Sequence, residues 1–148
     1  MPETNIHATA LVLGDRGVLI TGPSGSGKTT LALTLIRKFL WAGSFARLVA
    51  DDQVFVEARH GRVIVSSPPA IAGLAEVHGL GPRPLPHLES AVIDLVVRLV
   101  PATDAPRFCD PLAETVAGIV LPRLDLPSRN GTASSLAVAA WLQTPPFC

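Results

Sequence analysis

Leu19-Ile20-Thr21-Gly22-Pro23-Ser24-Gly25-Ser26-Gly27-Lys28-Thr29-Thr30-Leu31-Ala32-Leu33 decides how the chain is read. Gly22 to Thr29 fits the phosphate-binding loop pattern G-x-x-x-x-G-K-[ST] at every fixed position. The apolar run Val18-Leu19-Ile20 predicts a buried strand before the loop, and Thr29 to Phe39 predicts a helix after it. Gly22, Gly25 and Gly27 let the backbone bring its N–H groups against a polyphosphate, while the helix N-terminus adds about half a positive charge. Lys28 adds a full charge near the outer phosphates. Thr29 offers a hydroxyl to Mg²⁺, an ion that keeps most of its waters and takes few protein ligands. The chain has only two lysines, Lys28 and Lys38, against ten arginines, so lysine stands where the pattern requires it.

Upstream, Ala8 to Leu13 is rich in strand formers and Gly14-Asp15-Arg16-Gly17 is a four-residue turn signal, so a hairpin is expected to feed the phosphate loop. A hairpin there departs from an all-parallel doubly wound sheet, and the central sheet is therefore expected to be mixed. Downstream, Leu31, Leu35, Ile36 and Phe39 give the helix an apolar face, with Gly43 to end it. Arg47 to Ala50 reads as a short strand ending on Asp51-Asp52. Val54 to Ala58 and Val63 to Val65 read as a second hairpin turned at His60-Gly61. Ile71 to His78 reads equally as a short helix or an irregular strand, and Gly79 to Pro84 as a loop. Ala91 to Val100 reads as one apolar strand interrupted by Asp94 and Arg98, Pro101 to Pro111 as loop, and Gly118 to Leu121 as a short strand. Leu126 to Gly131 reads as a loop, and Thr132 to Leu142 as a last helix capped by Thr132 or Asn130. The expected fold is one mixed α/β phosphate-loop domain over residues 1–148, with helices packed on the sheet.

At 148 residues the chain suits one domain with one core. Net charge is zero with no lysine or arginine cluster, which argues against nucleic acid as a partner. No apolar run reaches the roughly eighteen residues of a membrane span, and the start Met-Pro-Glu-Thr-Asn lacks the pattern of an export signal, so the expected location is cytoplasmic, away from membranes. Cys109 and Cys148 lack disulfide-framework or metal-ligand spacing and read as ordinary thiols. Fourteen prolines, concentrated after residue 67, imply short strands joined by stiff loops.

Phosphoryl transfer also needs a metal site and a group that orients or deprotonates the nucleophile. Asp51 and Asp52, ending a strand 23 and 24 residues beyond Lys28, are the candidates, because that edge of a parallel sheet lies beside the phosphate loop. Adjacent residues on an extended backbone point to opposite sides, so one faces the chemistry and the other its neighbours. Asp94 sits inside an apolar run and reads as structural. His7 precedes the first strand, and a hairpin would fold it back toward the loop, where it could donate to a phosphate or hold a carboxylate. Glu76 and His78 precede Gly79-Leu80-Gly81, which fits a close approach to a ligand or an ordinary turn. His60 and His87 carry no signal.

Taken together, Ile6-His7-Ala8, the hairpin, Gly22 to Thr29, Leu48-Val49-Ala50-Asp51-Asp52 and Glu76-Val77-His78-Gly79-Leu80-Gly81 resemble, in order and spacing, the catalytic domain of HPr kinase/phosphorylase. The resemblance covers residues 5 to about 100 well and the remainder weakly. It implies an enzyme that phosphorylates a serine of the phosphocarrier protein HPr with ATP and Mg²⁺, and removes the phosphate by phosphorolysis to pyrophosphate. It also implies a role in regulating carbon metabolism. By this resemblance Asp51 is the base, supported by His7 and Asp52. Gly22, Pro23, Ser24, Gly25, Ser26, Gly27, Lys28, Thr29 and Thr30 hold phosphate, Thr29 and Glu76 serve Mg²⁺, and Arg129 lies on a loop that closes on substrate. By the resemblance the chain is expected to be a short form that lacks the family's amino-terminal domain and resembles alphaproteobacterial members, and a homo-oligomer, a hexamer in this family, is expected. The chain departs from the family at Pro23, Thr30 and His78, where an aspartate, a glutamate and an arginine are usual. A nucleotide-sensing module that holds HPr without catalysis, and a small-molecule phosphotransferase, are the alternative readings.

Overall fold

Gly14 and Asp15 alone turn the first hairpin, because Leu13 already pairs with Arg16 across it. The computed structural model describes residues 3–108 and 111–147, so the reading of Cys109 and Cys148 lies outside the described residues. After a short strand β1 (Thr4–Ile6), β2 (Ala8–Leu13) and β3 (Arg16–Thr21) run antiparallel, and the four-residue turn read from the sequence is corrected to two residues. Gly14 holds φ at 65°, the left-handed conformation that such a tight turn demands. The phosphate loop follows and opens into α1 (Lys28–Trp41), whose apolar positions Leu31, Leu35, Ile36 and Phe39 are all buried. Each buried leucine contributes about 2 kcal/mol against leaving it in water.

Next come β4 (Ala46–Ala50) and the hairpin β5 (Val54–Arg59) with β6 (Arg62–Ser66), turned at His60-Gly61. The open reading of Ile71 to His78 resolves into a 3-10 turn at Pro69–Ile71 followed by β7 (Leu74–Val77). Its partner β8 (Gly81–Pro84) replaces the expected loop at 79–84. β9 (Ser90–Ile93) and β10 (Leu95–Val100) belong to different sheets, so the single strand expected over 91–100 is corrected to two. β11 (Leu112–Val116), missed in the sequence, pairs with β12 (Ile119–Pro127), which is much longer than the strand read at 118–121. α2 (Gly131–Trp141) closes the fold with Asn130 as its cap, Oδ1 accepting from Ala133 N at 3.3 Å.

The central sheet has the order β11-β12-β10-β3-β2-β4 and is mixed, with β10 parallel to both β3 and β12 while β2 runs antiparallel to both of its neighbours. β4 therefore runs parallel to β3, one strand removed. A second, antiparallel sheet, β1-β5-β6-β9, lies on the opposite side of the central sheet from the helices. Along β2, β3 and β10 the side chains alternate between two cores. Leu11, Leu13, Val18, Ile20, Leu95 and Val97 pack toward α1, whereas Val12, Leu19 and Val96 pack toward the second sheet. Burial on both faces is why these strands are continuous apolar runs without polar alternation.

Asp94 marks the crossing between the sheets. Its Oδ2 accepts from Gly17 N at 2.9 Å and its own N–H donates to Gly17 O at 2.8 Å. A Cβ on Gly17 would lie 1.8 Å from Val92 O, so only glycine allows the two backbones to cross. The structural role read for Asp94 stands, at a corner between strands and not inside one. Among the described residues, no helix is long and apolar enough to cross a membrane.

Candidate active site

The phosphate loop owes its shape to three glycines with positive φ: Gly22 at 152°, Gly25 at 78° and Gly27 at 95°. Gly27 caps α1, so the helix begins at Lys28 and its N-terminal amides face the loop. Lys28 is buried, and Nζ donates to the carbonyls of Gly22 at 3.0 Å and Pro23 at 3.1 Å, holding the loop in a closed curve. Burial lowers the Lys28 pKa below its ordinary 10.5, with the negative charges of Asp52 and Asp51 opposing that shift.

β4 delivers the acid pair to the same edge. One extra residue, Val49, separates the Ala10–Ala50 and Leu11–Leu48 pairings with β2, and this bulge re-aims the strand end. Asp51 is 5% exposed and its carboxylate accepts three hydrogen bonds. Oδ1 accepts from Thr29 Oγ1 at 2.7 Å and Thr9 Oγ1 at 2.9 Å, and Oδ2 accepts from Glu76 N at 3.0 Å. Asp52 adopts φ 70°, and its side chain is 62% exposed, opens onto the cleft and accepts from His7 Nε2. The adjacent acids face opposite ways, Asp51 inward and Asp52 toward the cleft, but they lie in a bend beyond β4, so the left-handed conformation of Asp52 divides them and not the strand alternation expected from the sequence. His7 reaches Asp52 and not Asp51 in the described contacts.

The cleft encloses ≈ 710 Å³ and is bordered by Lys28, Thr29, Asp52, Glu76, His78 and Arg129. Ser24, Gly25, Gly27 and Thr30 also line it. Ser26 instead turns inward, with its Oγ buried and unpartnered among the described residues. Arg129 arrives from the end of β12, where its N–H donates to Ser26 O at 3.0 Å and its Nε to Gly25 O at 2.8 Å. The β7–β8 hairpin carries Glu76 and His78 to the opposite wall. Thr9 was missed by sequence reading, since a threonine in an apolar strand carries no signal until its neighbour across the sheet is known. Among the described residues, no three His, Cys, Asp or Glu side chains converge to hold a metal by themselves.

A glycine-rich loop closing onto a helix N-terminus, with Asp52 and a returning arginine bordering the same cleft, defines a phosphate-loop domain. Residues 1–143 match the family model described as HPr Serine kinase C-terminal domain. The chain belongs to that family. It is 33% identical over 143 residues to an HPr kinase/phosphorylase of Limosilactobacillus reuteri, covering 88% of this chain and 42% of the relative. It is 42% identical over 96 residues to an HPr kinase/phosphorylase of Clostridium tetani, covering 64% of this chain and 30% of the relative. The chain thus spans less than half the length of these two relatives. Among solved structures, that of the Hpr(Ser) kinase/phosphatase from Coxiella burnetii superimposes with a TM-score of 0.78 at 27% identity, covering 95% of this chain and 88% of that one.

Proposed function

We propose that this domain transfers the γ-phosphoryl group of ATP to a serine hydroxyl of HPr, and that it removes the group again by transferring it from the serine to inorganic phosphate, releasing pyrophosphate. The observation that carries this reading is that Thr29 Oγ1 and Asp51 Oδ1 meet at 2.7 Å while Asp52 opens onto the cleft that Lys28 borders. The phosphate cradle and the acid pair thereby share one site. The names of the relatives supply the substrate, and the cleft supplies the chemistry.

The roles follow from what each side chain has free. Asp51 has its carboxylate committed to Thr9, Thr29 and the Glu76 amide, so we assign it to holding the first turn of α1. The proton-accepting role that the resemblance gave to Asp51 passes to Asp52, whose carboxylate faces the cleft. Asp52 takes the serine proton as the oxygen attacks phosphorus. In phosphorolysis inorganic phosphate attacks the seryl phosphorus, the serine oxygen leaves, and Asp52 gives that oxygen its proton. One carboxylate thus serves as base in the first reaction and as acid in the second. His7 orients Asp52 by donating to it. Lys28, the loop amides and Arg129 hold the phosphoryl oxygens and stabilise their charge.

The oxygens here, a threonine hydroxyl and the carboxylates of Asp52 and Glu76, suit Mg²⁺, which accepts one or two carboxylates and fills its other positions with water and phosphate. Thr29 and Glu76 would hold it, and the bound ion would neutralise phosphate charge. An assembly of several copies, a hexamer by the resemblance, belongs to the same proposal and is measurable by light scattering.

The test is purified protein with γ-labelled ATP, Mg²⁺ and HPr, against HPr whose target serine is alanine. Label on the serine form alone is expected. ATP bound without any label transferred would leave a nucleotide sensor in place of the transferase.

A further inference from the structure

Thr9 lies on β2, fully buried, and its hydroxyl is used twice. Oγ1 donates to Asp51 Oδ1 at 2.9 Å and accepts from Asp52 N at 3.4 Å. Its neighbours hold Asp52 as well, with Ala8 N donating to Asp52 O at 3.2 Å and His7 Nε2 to Asp52 Oδ1. Three consecutive residues, His7 just before β2 and Ala8 and Thr9 within it, thus grip the carboxylate, carbonyl and amide of Asp52. Of the three, Thr9 is the one whose side chain touches both acids.

A buried threonine in a strand ordinarily needs no more than a partner for its own hydroxyl. Here the partner is a buried carboxylate that also receives Thr29 Oγ1, so the bond reaches the phosphate loop through one further step. Asp52 sits at φ 70°, a conformation uncommon outside glycine that aspartate adopts more readily than most residues, and the bonds from Thr9 and Ala8 hold it there. Removing the hydroxyl takes one of three donors from Asp51 and the acceptor from the Asp52 amide together.

We infer that Thr9 is a positioning residue for the phosphoryl transfer proposed above: its hydroxyl fixes Asp51 against Thr29 and aims Asp52 into the cleft. The inference rests on that transferase reading.

Thr9→Val keeps the shape and removes the hydroxyl, whereas Thr9→Ser keeps the hydroxyl and removes a methyl group. Displacing a reacting group by about an ångström costs on the order of a hundredfold, so kcat for HPr labelling is expected to fall about tenfold to a hundredfold in Thr9→Val. KM for ATP stays within about twofold, because the loop glycines and the Lys28 bonds to Gly22 and Pro23 do not involve Thr9. Thr9→Ser restores kcat to within about threefold of wild type. A merely structural threonine would give the other pattern, with lower melting temperatures for both variants, Ser included, and kcat preserved in the folded fraction. Should Thr9→Val not fold, Thr9→Cys, whose thiol is a poor donor, carries the same expectation. Wild-type kcat in the valine or cysteine variant, or no rescue by serine, overturns the inference alone. A wild-type protein that labels no HPr overturns the transferase reading and this inference with it.

Discussion

The Thr29 hydroxyl donates to the Asp51 carboxylate at 2.7 Å, so the first turn of α1 is tied to the end of β4, a strand two places away from β3 in the central sheet. This bond, with those from Thr9 and the Glu76 amide, joins three elements around a single buried acid. It also leaves Asp52, and not Asp51, with its carboxylate facing the cleft.

The two acids are therefore expected to fail differently. Asp51→Asn exchanges charge-assisted bonds for neutral ones and should cost about 2–3 kcal/mol of stability, read by denaturant unfolding. Asp52→Asn should keep its melting temperature and its nucleotide affinity while HPr labelling drops by roughly 10² to 10⁴. A stable, inactive Asp51→Asn beside an active Asp52→Asn would exchange the two roles.

Lys28→Ala should lower HPr labelling by at least about 10²-fold, since it removes a fixed charge from the phosphoryl site. The pH dependence of this lysine has a definite sign. Its folded pKa lies below 10.5, so the folded chain releases the proton before the unfolded chain does. Stability therefore rises with pH between the lowered value and 10.5, while nucleotide affinity falls as the charge is lost. Denaturant melts of wild type and Lys28→Met across the alkaline range should show that increment in wild type only.

Gly17→Ala should be among the most damaging single changes in the chain. Its Cβ would meet Val92 O at 1.8 Å and force apart the crossing held by Asp94. A loss of about 3 kcal/mol or more is expected, with a melting temperature about 10 °C lower. Gly14→Ala meets no atom within 4 Å and suffers only from its φ of 65°, so it should cost about 1 kcal/mol. Equal losses at the two positions would remove the crossing as the reason for Gly17.

Arg129 has φ 57°, which glycine adopts freely, so Arg129→Gly should leave the backbone bond to Ser26 O in place and remove only the guanidinium. Stability should change by less than about 0.5 kcal/mol. HPr labelling should fall about 10²-fold if the guanidinium stabilises transferring charge. Unchanged labelling would reduce Arg129 to a brace on the Gly25 carbonyl.

Local signals were legible wherever the chemistry is local. The loop from Gly22 to Thr29 and the apolar spacing of Leu31, Leu35, Ile36 and Phe39 each follow from short-range rules, and the helix and hairpins formed where they were read. The run from Ala91 to Val100 was misread because hydrophobicity has no discontinuity at Asp94, and the change of sheet depends on Gly17, some 77 residues earlier. β8 was read as loop because its glycine and two prolines look like turn chemistry, yet a two-stranded hairpin tolerates them. β11 escaped notice since its pairing with β12, not its composition, makes it a strand.

The sequence by itself determined the phosphate-loop pattern at Gly22 to Thr29, the strand before it and the helix after it, and an acid pair at the end of the next parallel strand, because these follow from rules that act over a few residues. Only the tertiary structure decided which aspartate is buried, that Thr9 lies between the pair, and that Arg129 returns to the loop about a hundred residues after it. Those outcomes depend on which strands become neighbours and on a one-residue bulge at Val49. Both are set by how two cores pack on opposite faces of one sheet, a property of the whole chain and of no segment within it.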